Sequence, residues 1–312
     1  MQKLTVLIVN LLLIAGLNPI VPSVTQAQVE VAQKSGNRTP SSPYKRRKQL
    51  DKLLQEGRRL MEKGNLAGAI ARYQQAARLS PKNARIFSSI GYIHALQKNF
   101  SAAAAAYRQA IALAPNHADF YYALGYCLGQ MGDNASAATA YRQTTQLDRN
   151  NLNAYLGLGV VLYRQGDYNG AAQAYQQVLN REPNNGSANG LIGILLLKQG
   201  QISEAIAALQ KAAIQEPDNV EVLEALAKAW IDRGNVTAGL MTLRQIVKLA
   251  PGNTGVYMQI GEILKQQNDF NGALEAYRQA LSIQPNLVEA QKAIREILLT
   301  QPKSSSTTTP QL

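Results

Sequence analysis

Catalysis needs a nucleophile beside a base, or a cluster of metal ligands, and this chain is poor in both. It has one cysteine, Cys127, and two histidines, His94 and His117. A lone cysteine excludes an internal disulfide and a multi-thiolate zinc site. Cys127 adjoins an apolar run and reads as a small apolar filler. His94 stands where related positions of the chain carry Leu or Trp, so it is expected in the core. His117 follows Pro115 in a loop, where exposure is expected. No GxxxxGK[ST] phosphate loop occurs. Five Asn-x-Ser/Thr sequons begin at Asn37, Asn99, Asn134, Asn185 and Asn235. The last four fall in turns, where Asn and Ser serve as turn and cap residues. The expectation is a non-enzyme with no cofactor and no metal.

What remains is the chemistry of recognition, carried by 14 tyrosines and an uneven charge. The formal net charge is +12, and residues 28–117 hold sixteen basic side chains against four acidic ones. From residue 118 onward acids and bases nearly balance. One end of the chain is therefore a candidate electrostatic surface.

The elements that would position these groups are set by a repeat. Pro81, Pro115, Pro183, Pro217, Pro251 and Pro285 fall on one 34-residue grid, with Arg149 in the single missing slot. The grid defines seven units: 50–83, 84–117, 118–151, 152–185, 186–219, 220–253 and 254–287. Position eight is Gly57, Gly91, Gly125, Gly159, Gly193, Ala227 and Gly261. Position twenty is always Ala or Gly, and position twenty-four is Tyr73, Tyr107, Tyr141, Tyr175, Leu209, Leu243 and Tyr277. Apolar residues recur three and four apart, which is helical spacing. A glycine near position fifteen (Gly64, Gly132, Gly166, Gly200, Gly234) ends a first helix. Polar residues at position eighteen (Ser101, Asn169, Ser203, Thr237, Asn271) are expected to cap a second. Such a helix pair cannot bury its apolar face alone and must stack on its neighbours.

This pattern resembles the tetratricopeptide repeat, over 238 of 312 residues. The resemblance implies an all-α, right-handed superhelical solenoid of seven helix pairs with a C-terminal capping helix. Ser42-Pro43 can start the first helix early, and residues 288–299 would form the cap. There Ile294, Ile297 and Leu298 are expected inward, with Arg295 where a full repeat has glycine. In this family the first helix of each pair lines the concave face through positions two, five, nine, twelve and thirteen. Carried over, these give a peptide-binding groove of Tyr92, Tyr122, Tyr126, Leu156, Val160, Tyr163, Ile194 and Leu197. The chaperone-binding members hold a terminal carboxylate with lysine at five and asparagine at nine. No unit here has that pair.

The expected function is a scaffold that holds a peptide or helix of a protein partner, in assembly of an envelope or membrane complex. The alternative is an adaptor held to an anionic membrane or polymer by a basic patch of Lys45, Arg46, Arg47, Lys48, Arg58, Arg59 and Arg85. Nucleic acid is not an expected partner. Lys3 followed by the apolar run Leu4–Leu17 has the layout of a secretory signal peptide, with small residues at Thr25 and Ala27 for cleavage after 27. Export to a periplasm or equivalent compartment follows from that reading. Residues 28–42 then read as a flexible linker, 43–299 as the repeat array and 300–312 as a disordered tail.

Overall fold

The structure is a computed structural model that describes residues 42–300. The expected signal segment and most of the expected linker and tail lie outside the described residues. Fifteen helices and no strand occur among the described residues. The helices divide between two compact units, one up to Arg181 and one from Glu182.

The first unit holds four helix pairs. They are α1 (Pro43–Glu62) with α2 (Leu66–Leu79), α3 (Ala84–Leu96) with α4 (Phe100–Leu113), α5 (Ala118–Gln130) with α6 (Asn134–Leu147), and α7 (Leu152–Gln165) with α8 (Tyr168–Leu179). The second holds α9 (Gly186–Lys198) with α10 (Ile202–Gln215), α11 (Val220–Asp232) with α12 (Val236–Leu249), α13 (Thr254–Gln266) with α14 (Phe270–Ile283), and the single helix α15 (Val288–Thr300).

One turn design closes every pair. At position sixteen the backbone N–H of Asn65, Asn99, Asp133, Asp167, Gln201, Asn235 and Asp269 donates to a carbonyl five residues back, for example Asn65 to Leu60 at 2.8 Å. This is the six-to-one bond that ends a helix after a left-handed residue. That residue is Gly166 in the fourth pair (φ 84), while Lys98 (φ 58) and Asn268 (φ 61) take the same conformation without a glycine. The position-sixteen side chain then caps the second helix, except at Gln201: Asp133 accepts from the Ser136 N–H at 3.1 Å, and Asn99 from that of Ala102 at 3.2 Å. The cap therefore sits two residues before the expected position eighteen. Ser101, Asn169, Ser203, Thr237 and Asn271 are the second residues of their helices and are simply exposed. Asn99, Asn185 and Asn235, which begin sequons, are all helix caps.

Packing inside a pair follows from sizes eight and twenty-four. The Tyr141 ring lies over the backbone of Gly125, where a Cβ would stand 3.0 Å from the ring, and also against Gly157 of the next pair, at 2.5 Å. A glycine from each of two successive repeats thus makes the slot for one tyrosine. Tyr141, Tyr175 and Tyr277 are among the largest fully buried side chains. Each unit has its own core: Leu53, Tyr73, Ile86 and Ile93 belong to a cluster in the first, and Leu243, Ile246, Tyr277 and Ile297 to one in the second. In α15 Ile297 is buried and Ile294 partly so, but Leu298 is 53% exposed, not inward. It occupies the face that a second helix would cover in a complete repeat.

Candidate peptide-binding face

Tyr92 on α3, Tyr122 and Tyr126 on α5, and Tyr163 on α7 are all half-buried. They occupy positions five, nine or twelve of successive first helices, so a regular stack presents them from neighbouring rods. Three of these rings are held by other aromatic groups. Tyr122 packs on Tyr141 with centroids 5.9 Å apart, and Tyr163 on Tyr168 at 5.5 Å. Tyr126 meets Phe100 of α4 edge-on at 6.0 Å. Burial pushes the Tyr122 phenol up to about 12 and raises those of Tyr126 and Tyr163. The desolvated charge of a phenolate is the physical cause. Fixed rings with polar tips are surfaces suited to contact, because little rotamer freedom is left to lose.

The aliphatic members of the expected groove are placed differently. Leu156 is 4% exposed and Val160 0%, and every residue of α7 from 156 to 162 is buried. Gly157 and Gly159 explain this: without side chains they let Tyr141 and Tyr175 close onto α7, so positions five and nine become core. Ile194, in the second unit, is 2% exposed and likewise belongs to packing, directly after Gly193 in sequence. Leu197 is half-buried on α9. The part of the first unit's expected face open to a ligand is thus its four tyrosines.

Arg164 is a residue that the sequence reading passed over. It sits at position thirteen, beside Tyr163, and its Nη1 donates to the Gly129 carbonyl at 3.1 Å, near the C-terminus of α5. Its Nε and Nη2 are buried without a partner. Its position on the grid was the available signal.

The basic cluster is also only partly what its composition implies. Lys45, Arg47, Lys48, Arg59 and Arg85 are exposed and Arg58 is half-buried. Arg46, however, donates from Nε at 3.0 Å and Nη2 at 2.6 Å to the carbonyl of Leu79. It caps the C-terminus of α2, where carbonyls lack partners and a cation is favoured.

The candidate chemical groups show no catalytic arrangement. Cys127 is buried, and burial pushes its thiol up to about 12, far from a reactive thiolate. His94 is half-buried with Nδ1 unpartnered, and exposed His117 stacks on Phe120 at 4.9 Å. No group of three or more potential ligands that could hold a metal ion occurs among the described residues.

The family model of the cilia and flagella-associated protein 70 C-terminal domain, a tetratricopeptide-repeat model, matches residues 41–297. The chain belongs to this tetratricopeptide-repeat family. Solved structures agree in fold. A tetratricopeptide-repeat protein from Parabacteroides merdae superposes with a TM-score of 0.62 at 16% identity, covering 80% of this chain and 99% of that one. YrrB, described as a TPR protein with an unusual peptide-binding site, gives 0.50 at 23% identity over 62% of this chain and 99% of its own. PilW, described as a widely conserved type IV pilus biogenesis factor, gives 0.57 at 19% over 65% and 94%. No curated protein matches the chain in sequence. No described helix is long and apolar enough to cross a membrane.

Proposed function

We propose that this tetratricopeptide-repeat chain is an exported, non-catalytic scaffold. In this reading it holds a peptide or helical segment of a partner against the tyrosines of its first unit, during assembly of an envelope or membrane complex. The observation that carries the reading is the state of Tyr92, Tyr122, Tyr126 and Tyr163. Their rings are half-buried against neighbours, yet their hydroxyls make no hydrogen bond within the chain among the described residues. A partner backbone takes the place of water at those hydroxyls, and its apolar side chains cover the exposed ring edges. The printed descriptions of YrrB and PilW, a peptide binder and an envelope assembly factor, support the same class of role.

Affinity capture from an envelope fraction tests it. Tyr126→Ala with Tyr163→Ala should weaken capture tenfold or more, the scale of losing one hot spot of about 2 kcal/mol. Circular dichroism should stay unchanged. A folded double variant that captures its partner at full yield refutes the reading. The alternative, an adaptor held to an anionic membrane or polymer, keeps exposed Lys45, Arg47, Lys48, Arg59 and Arg85, while the Arg46 guanidinium is tied to the Leu79 carbonyl.

A further inference from the structure

Three cations at the start of α1 are unusual in what surrounds them. Lys45, Arg47 and Lys48 lie in its first two turns, make no ion pair, and have no acidic residue in the first turn beside them. Cations at a helix N-terminus oppose the partial positive charge of the exposed N–H groups. Tyr44, three and four residues from Arg47 and Lys48 and so on their face, is 73% exposed. The start of α1 is therefore an exposed aromatic ring flanked by cations, with one acid, Asp51, a turn further on.

The second unit contains the complement. Between α13 and α15 lies a concavity of about 440 Å³ with an apolar floor that includes Met258 and Ala293 and a rim of Glu262, Glu289 and Glu296 against Lys265 and Lys292. Both lysines are directed to one acid: Lys265 is 3.0 Å and Lys292 3.9 Å from Glu296. Glu262 accepts the Tyr277 hydroxyl at 3.1 Å and the Gln266 amide at 3.3 Å and lies in the field of Lys265, while Glu289 makes no ion pair among the described residues. A volume of this order accommodates an aromatic ring and the stems beside it.

We infer that the first turns of α1 in one copy dock into the α13–α15 concavity of a second copy. Tyr44 meets the apolar floor, and Arg47 and Lys48 meet Glu289 and Glu262. The contact joins two different surfaces, so it is head-to-tail rather than self-complementary. It is independent of the tyrosine face of the first unit, and its failure would leave that reading untouched.

Sedimentation velocity of the full chain over a concentration series tests it. Wild-type protein should associate as concentration rises, at least tenfold more weakly in about 0.5 M salt than at low salt, since screening shortens the reach of exposed charge. Arg47→Glu, and separately Glu289→Lys, should each weaken association at least tenfold with unchanged melting. The chain carrying both changes should recover association, because the two charges are exchanged and not removed. A wild type that stays monomeric, association indifferent to both reversals, or reversals without recovery in the combined chain would each overturn the inference. So would sedimentation of monomers with phosphatidylserine vesicles that depends on Arg47 and Lys48 when no self-association does.

Discussion

At the residue scale the most informative side chains are the tyrosines, which do two different jobs. Those at position twenty-four are wedges: Tyr107, Tyr141 and Tyr175 are buried, and burial raises each phenol well above its ordinary value of 10.0. The folded chain thus keeps protons that the unfolded chain releases. The stabilisation is complete below pH 10 and is lost as pH rises through the alkaline range. Tyrosinate absorbance from these residues should accordingly appear together with loss of helical ellipticity. Tyr141→Phe with Tyr175→Phe should shift that joint transition to higher pH; an unshifted transition would mean the phenols are not its cause. The position-twenty-four pattern was readable from the sequence alone, since a large residue, Tyr or Leu, repeats against a small one, Gly or Ala. Which position-five and position-nine residues stay exposed was not readable. Leu156 and Val160 are apolar in either role, and only the closeness permitted by Gly157 and Gly159 decides that they are core. Arg46 shows the same limit, because a capping arginine and a free one are identical in sequence.

At the element scale the helix pair was legible down to its turn, and the error was one of register. Position eighteen offers five hydroxyl or amide side chains of the right type, but the six-to-one bond places the chain reversal so that residue sixteen is the cap. One residue there ends the first helix with its N–H and in most pairs starts the second with its side chain, leaving eighteen with nothing to bond. The glycine slots set the distance between helices. Gly157→Ala would place a methyl about 2.5 Å from the Tyr141 ring, which is itself held by Gly125 and cannot withdraw. Overpacking of this kind costs about 1–3 kcal/mol. Chemical denaturation should show that loss, and an unchanged midpoint would mean the slot is looser than its geometry.

At the scale of the whole molecule, repeat arrays are held by contacts between neighbours, so damage stays local. The last helix shows this best. Ile297 is 1% exposed and shares a core with Tyr277, while Leu298 and Leu299 stand in solvent. Ile297→Ala should cost about 2–5 kcal/mol locally. Hydrogen exchange should then quicken in α14 and α15 and stay unchanged in α1 to α4; uniform quickening would show one cooperative block instead. The seven-fold grid made the architecture legible, because each repeat restates the same constraints. Partner choice was not legible, since the family varies it at positions that the fold leaves unconstrained.

The central claim is that the partner lies on the tyrosine face of the first unit. A photo-crosslinking amino acid placed at Tyr126 on α5, with a matched one at exposed Arg142 on α6 as control, tests this in the living cell. The account predicts a discrete covalent adduct with a partner protein from position 126, absent from position 142. Adducts from 142 with none from 126 would put the partner on the second helices and contradict it.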